Sequence, residues 1–122
     1  MILYFDKGAK MKLLIAGSRS IKKFNLDTVV PRDTKLIISG GAQGMDTIAE
    51  EYADKHNISK LILRPQYKIY GKSAPLRRNE QMVDIADQIV LIWDGISKGA
   101  KHTLEYAKKT NKPFKLFICS SN

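Results

Sequence analysis

Short apolar runs alternate with longer amphipathic ones along this chain, and that alternation by itself predicts an architecture. Residues 13–16, 36–38, 61–63, 89–93 and 114–118 are rich in Ile, Leu and Val and show no clean apolar–polar alternation. This is the pattern of parallel strands covered on both faces. Between them the period changes to that of a helix. Met45, Ile48, Ala49, Tyr52 and Ala53 fall at i, i+3, i+4, i+7 and i+8, with Glu50, Glu51 and Asp54 opposite, so one stripe faces a core and the other faces water. Asn79, Met82, Val83 and Ala86 repeat the spacing, as do Ala100, Thr103, Leu104 and Ala107, with Asn111 and Pro113 as the stop. Residues 24–30, ahead of Pro31, read as a shorter helix or a turn. The predicted order is βαβαβαβαβ: an α/β fold with three layers, α/β/α, around a mainly five-stranded parallel sheet.

Three of the predicted strands end in the same punctuation. The first runs into Gly17-Ser18-Arg19-Ser20, the second into Ser39-Gly40-Gly41-Ala42-Gln43-Gly44, and the fourth into Asp94-Gly95-Ile96-Ser97-Lys98-Gly99. In a parallel sheet these turns emerge on the carboxyl edge, where open α/β sheets bind ligands. The second turn has the grammar of a phosphate cradle. Gly40, Gly41 and Gly44 have access to backbone angles that a side chain forbids, so several N–H groups can converge on an anion at the start of a helix, where the macrodipole adds roughly half a positive charge. The bland alternative is an ordinary tight βα connection. Asn79 places an amide on a stripe that should face the protein, where it either caps a neighbouring turn or reads a ligand at the rim. Arg77 and Arg78 precede it, and a guanidinium there can fork onto a phosphate or carboxylate.

Length and composition bound the picture. A chain of 122 residues with 43% hydrophobic content supports a single core, so residues 11–122 are read as a single domain. Residues 1–10 stand apart as an N-terminal extension: an extra edge strand, a subunit contact, or an artefact of cloning or of the start site. One cysteine, Cys119, excludes an intrachain disulfide and suits a reducing cytosol. No apolar run approaches the ~20 residues that span a bilayer, and the first residues lack the basic start of a signal peptide. A cytoplasmic protein with no membrane partner is expected. His56 and Cys119 have no companions at ligand spacing, so no metal site is expected. A formal charge of +9, from 21 Lys and Arg against 12 Asp and Glu, attracts polyanions and makes nucleic acid a candidate partner, although scattered basic residues with no run of five are more simply a solvated surface.

Taken in order, four motifs resemble those of the SLOG superfamily of Rossmann-like domains, named for its SMF/DprA and LOG members, and within it the small YspA/YpsA-related branch. They are Ala16-Gly17-Ser18-Arg19, Ser39-Gly40-Gly41-Ala42-Gln43-Gly44-Met45-Asp46, Arg78-Asn79 with Met82, and Trp93-Asp94-Gly95 with Ser97, Gly99, His102 and Thr103. The resemblance runs from Met11 to about Phe117. It implies a Rossmann-like sandwich that binds a nucleotide or a nucleotide derivative of the NAD or ADP-ribose kind, as a sensor or accessory protein. On that model Gly17, Ser18 and Arg19 line the first rim turn, Gly40, Gly41 and Gly44 hug a phosphate, and Asp46 orients a sugar hydroxyl or caps its helix. Arg78, Asn79, Asp94, Ser97 and Gly99 complete the set. Ala100 stands where relatives often carry Thr, so one hydroxyl to phosphate is missing.

Two alternatives follow from the same superfamily. Hydrolysis or transfer at an N-glycosidic bond, as in LOG phosphoribohydrolases and deoxyribosyltransferases, needs a carboxylate at the anomeric carbon; Asp46, Glu50, Glu80 and Asp94 are the acids available. Binding of single-stranded DNA, as in the DprA relatives, fits the positive charge, although Tyr67, Tyr70 and Trp93 do not form an obvious stacking platform in the sequence. His102 reads as a solvent-facing helix residue and Trp93 as packing. The apolar N-terminal segment and open sheet edges leave a homodimer as a candidate assembly.

Overall fold

Consecutive side chains of residues 13–16 enter two different cores, Leu13 and Ile15 on one side and Leu14 and Ala16 on the other. A strand buried on both faces has no polar face to alternate with, which is why this run reads as continuous apolar sequence. The computed structural model describes residues 11–119; the N-terminal extension 1–10 lies outside the described residues. Five strands, β1 (Met11–Gly17), β2 (Thr34–Ser39), β3 (Ser59–Ile62), β4 (Gln88–Trp93) and β5 (Phe114–Ile118), form one all-parallel sheet in the order β3-β2-β1-β4-β5. The helices are α1 (Met45–Lys55), the short α2 (Tyr67–Tyr70), α3 (Ala74–Ile85) and α4 (Lys98–Lys109). The fold is the α/β, Rossmann-like arrangement that the sequence pattern implies.

Each face of the sheet is covered by a different kind of layer. Helices α3 and α4 bring Met82, Val83, Ala100, Leu104 and Ala107 onto Leu14, Ile38 and Leu91. On the other face α1 contributes Met45, Ala49 and Ala53 against Leu13, Ile37 and Ile92, and the rest of that layer is loop, through Ile21 and Leu26. The first crossover therefore carries no helix, and the βαβαβαβαβ order is corrected there: residues 24–30 form a turn. Val29 and Val30 both donate to the Leu26 carbonyl, at 3.1 and 3.2 Å, and the Asp27 amide donates to Asn25 Oδ1 at 2.9 Å. A side-chain acceptor that competes for the backbone, a β-branched run and Pro31 leave too few residues to nucleate a helix.

Helices α1 and α4 stop in the same way. Asn57 and Asn111 take φ of 56° and 57°, a left-handed conformation that Asn tolerates better than most residues. The following amides reach back, Ile58 N to Ala53 O and Lys112 N to Ala107 O, each at 2.9 Å, which satisfies carbonyls that the helix leaves open. No helix among the described residues is long and apolar enough to cross a membrane.

Space is tightest at the end of β1. A Cβ on Gly17 would lie 2.2 Å from the Ile92 carbonyl oxygen and 2.6 Å from Met45 Cγ, so β1, β4 and α1 meet there at backbone distance. Gly17→Ala should destabilise the domain by about 3 kcal/mol in urea unfolding, because a strand rather than a flexible side chain has to move. Gly71→Ala, at φ 58° with nothing within 4 Å of the added atom, should cost only about 1 kcal/mol, from backbone conformation alone.

Candidate functional site

Strands β2 and β3 lie on one side of β1, and β4 and β5 on the other. The connections leaving β1 and β4 diverge at this reversal, and the crevice between them on the carboxyl edge is the general ligand position of open α/β sheets. A cleft of about 580 Å³ opens there, walled by the turns after β1 and β4 and by the starts of α1, α3 and α4. A larger hollow of about 800 Å³ lies at the opposite edge, among Lys12, Arg32, Thr34 and His56. None of the three glycine-bearing turns reaches it.

The two loops at the reversal are tied together by short polar contacts. Ser18 Oγ lies 2.8 Å from Ser97 Oγ and accepts the Asp94 amide at 2.9 Å. Asp94 Oδ2 accepts the Ser20 hydroxyl at 2.7 Å, and Oδ1 accepts the amides of Ile96 and Ser97, both at 2.8 Å. The Ser20 hydroxyl first, then the Ser97 and Ile96 amides, hold the Asp94 carboxyl well below the usual carboxylate range. Trp93 Nε1 donates to the Ser97 carbonyl at 3.0 Å and fixes the loop from beneath. Ser18, Asp94 and Ser97 line the cleft, yet their polar atoms are directed mostly at one another.

Arg78 is the opposite case. It is only 8% exposed, and α3 holds it so that Nη1 donates to the carbonyls of Gly40 at 2.6 Å and Leu63 at 3.0 Å while Nε donates to Asn79 Oδ1 at 2.8 Å. Nη2 has no acceptor among the described residues, and Arg78 lines the cleft. Burial lowers the pKa of this guanidinium, opposed by the Asp46 carboxylate. Asn79 completes the bridge with a long contact, Nδ2 to the Gly99 carbonyl at 3.5 Å. An unbroken path of side-chain contacts thus crosses the reversal from the turn after β2 to the start of α4.

Asp46, in the first turn of α1, lines the same cleft and is buried. Its Oδ2 accepts the Ala42 amide at 3.0 Å, and Oδ1 has no donor among the described residues. Desolvation pushes its carboxyl pKa up; the Ala42 amide and the charge of Arg78 pull the other way. Arg19, exposed at the rim, makes no side-chain hydrogen bond among the described residues.

Of the residues that the sequence singles out, Gly17, Ser18, Arg19 and Asp46 meet Arg78, Asn79, Asp94, Ser97 and Gly99 around one cleft. Gly40, Gly41 and Gly44 do not line it and sit in the turn behind. Gly41 and Gly44 take φ of 71° and 73°, and a Cβ on Gly44 would lie 2.3 Å from the Arg19 carbonyl oxygen. Two amides of the turn are already engaged, Gly41 N with Ser39 Oγ at 3.3 Å and Ala42 N with Asp46. Arg64 Nη1 donates to the Gly41 carbonyl at 2.9 Å. The turn is thus braced from both sides by arginines, a feature with no local signal in the sequence. His102 also differs from its reading as a solvent-facing residue: Nε2 lies 2.9 Å from Glu80 Oε2, on a neighbouring helix. Among the described residues no three His, Cys, Asp or Glu side chains gather as metal ligands would.

No family model matches this chain, and no solved structure matches it. It is similar to the Gene 61 protein of Mycobacterium phage D29, at 30% identity over 84 residues that cover 64% of this chain and 67% of the phage protein.

Two measurements test the assembly of this cleft. Asp94, with its folded pKa depressed, contributes stability that is present above the ordinary carboxylate pKa and is lost as pH falls through the folded value. The stability advantage of the wild type over Asp94→Asn should therefore shrink steadily in unfolding experiments below about pH 4. Arg78→Lys should cost about 2 kcal/mol or more in the absence of any ligand, since a point-like ammonium cannot serve Gly40, Leu63 and Asn79 together.

Proposed function

The chain belongs to the family of the Gene 61 protein of Mycobacterium phage D29, and we propose that it binds a nucleotide or a nucleotide derivative of the NAD or ADP-ribose kind in the cleft at the β1/β4 reversal. It would do so in the cytoplasm, as a sensor or accessory protein of the SLOG type. The observation that supports this reading most is the set of groups on that cleft that have no partner among the described residues: Nη2 of the buried Arg78, Oδ1 of the buried Asp46, and the rim guanidinium of Arg19. A cation serves a phosphate and a carboxylate serves a sugar hydroxyl, so together they match the two polar parts of a nucleotide. The apolar surface between them, from Pro75, Leu76, Met82 and Ala100, suits the base.

The cleft moves the weight of phosphate recognition. The glycine turn after β2 has two amides engaged internally, whereas α4 begins on the cleft with no side-chain cap and no acid in its first turn. Phosphate is therefore expected at Arg19 and the start of α4, and Asp46 marks the sugar end. The enzyme reading, cleavage or transfer at an N-glycosidic bond, keeps one specific support. Asp46 is the cleft acid with an oxygen unpartnered among the described residues and a raised pKa, both features of a group poised for acid, base or nucleophilic work.

A thermal-shift screen against AMP, NAD, ADP-ribose and ribose 5-phosphate tests the proposal. A ligand at ~100 times its dissociation constant adds about 2.7 kcal/mol to stability, so binding should raise the Tm visibly; no shift with any of the four overturns it. Asp46→Asn sharpens the test. An amide keeps an acceptor for the Ala42 N–H without a buried charge, so the apo protein should melt at the same or a higher temperature at pH 7, and that advantage should vanish as pH falls to where Asp46 is protonated in both folded and unfolded chains. The ligand-induced shift should be lost in the same variant.

A further inference from the structure

Charge is distributed unevenly along this chain. Between Asp54 and Glu80 there is no Asp or Glu, and the basic residues Arg64, Lys68, Lys72 and Arg77 recur every four or five positions. The structure places that tract on one shoulder of the domain: edge strand β3, short helix α2 and the start of α3. All four of these cations are exposed. Helix α2 buries none of its residues, and Tyr67, Ile69 and Tyr70 are 59%, 67% and 36% exposed. Arg77 lies over the Tyr70 ring, 5.7 Å from its centroid. Two accessible aromatic rings are thus interleaved with four cations, an arrangement that becomes visible once Tyr67 and Tyr70 are seen on one solvent-facing turn.

Exposed aromatic surface calls for a partner, and the charge selects which one. A second copy of the chain docking shoulder to shoulder would bring the four cations of each copy together, and the flanking acid Asp54 is already paired with Lys60 of β3 at 2.8 Å. An acidic partner with planar groups matches both features at once. We propose that this β3–α2–α3 shoulder, which adjoins the nucleotide cleft at the start of α3, binds single-stranded nucleic acid, with Tyr67 and Tyr70 stacking on bases and Lys68, Lys72 and Arg64 following the phosphates. Bases in a single strand expose the faces that rings can stack on, whereas a duplex hides them, so the aromatic pair gives single strands the preference. Arg64 also donates to the Gly41 carbonyl, which fixes one cation of the track to the turn after β2.

Fluorescence anisotropy with a labelled 20-residue oligo(dT) and a duplex of equal length tests this on the full chain. The single strand is expected to bind more tightly, and log affinity should fall linearly with log salt. Tyr67→Ala and Tyr70→Ala should each weaken oligo(dT) binding about tenfold with the salt slope unchanged. Lys68→Ala and Lys72→Ala should each reduce the slope by about 0.7. Lys108→Ala with Lys109→Ala, at the far end of α4 on the opposite edge, serves as the control for diffuse attraction to a chain of charge +9. Circular dichroism melts establish that each variant is folded. Equal binding of single strand and duplex, tyrosine variants that bind like the wild type, or a control pair that weakens binding as much as the shoulder lysines do would each overturn the proposal. So would the absence of oligo(dT) binding at low salt. Neither result touches the cleft, whose test uses mononucleotides.

Discussion

One buried guanidinium organises the carboxyl edge of this protein. Removing Arg78 from water is costly unless its donors are matched, and the match is made by carbonyls at the ends of β2 and β3 and by the amide of Asn79. A cation that satisfies itself only when three elements are in register acts as a gauge of their positions. The turn after β2, the exit of β3 and the first turns of α3 are therefore set relative to each other before any ligand is considered. Arg78 also lines the cleft at which the sheet order reverses, so the group that builds the edge is present on it as well.

The inner strands β1, β2 and β4 were legible because burial on both faces leaves a plain mark in composition; the edge strands β3 and β5 are half-buried or exposed, which corrects the reading that all five are covered on both faces. All five apolar runs became strands, and the amphipathic spacings around Met45, Met82 and Leu104 became helices whose stripes face the sheet. The first crossover was less legible. Ile21, Phe24, Leu26 and Val30 supply apolar positions that a short helix or a wrapping loop uses equally well, and only competition by Asn25 and the limit at Pro31 decide between them. Gathering the candidate residues into one cleft follows from parallel topology, since every βα turn exits on the same edge. What that topology does not reveal is which groups are already partnered. Asp94 and Asp46 look alike as acids beside a strand or helix start, yet one carboxylate is saturated by local donors and the other retains an oxygen.

The same blindness to partners explains the remaining differences. Arg64 and Gly41 are 23 residues apart and Arg78 and Gly40 are 38 apart, so no spacing rule connects them. His102 and Glu80 meet across two helices for the same reason. A glycine-rich turn read from sequence looks open to an anion, because the reader sees the backbone freedom of its residues and not the side chains that occupy it. Here the freedom is used to let Gly44 pass against the Arg19 backbone, a packing requirement that a ligand site would mimic in sequence.

The central position of β1 has a consequence for how the chain reaches its fold. Its two neighbours are β2, which follows after 16 residues, and β4, which begins at Gln88 and pairs with Leu13 through Gly17. During synthesis from the N-terminus, β1, β2, α1 and β3 are complete while the other side of β1 still presents unpaired amides and carbonyls. That open ladder, flanked by apolar side chains on both faces, is the template on which an intruding strand from another chain would add. Closure waits for a pairing far away in sequence, a kind of contact that makes folding slow. The reversal that creates the cleft is thus a seam that closes late, with only the β4–β5 pairing after it, and the unpaired side of β1 is open to misassembly until β4 arrives.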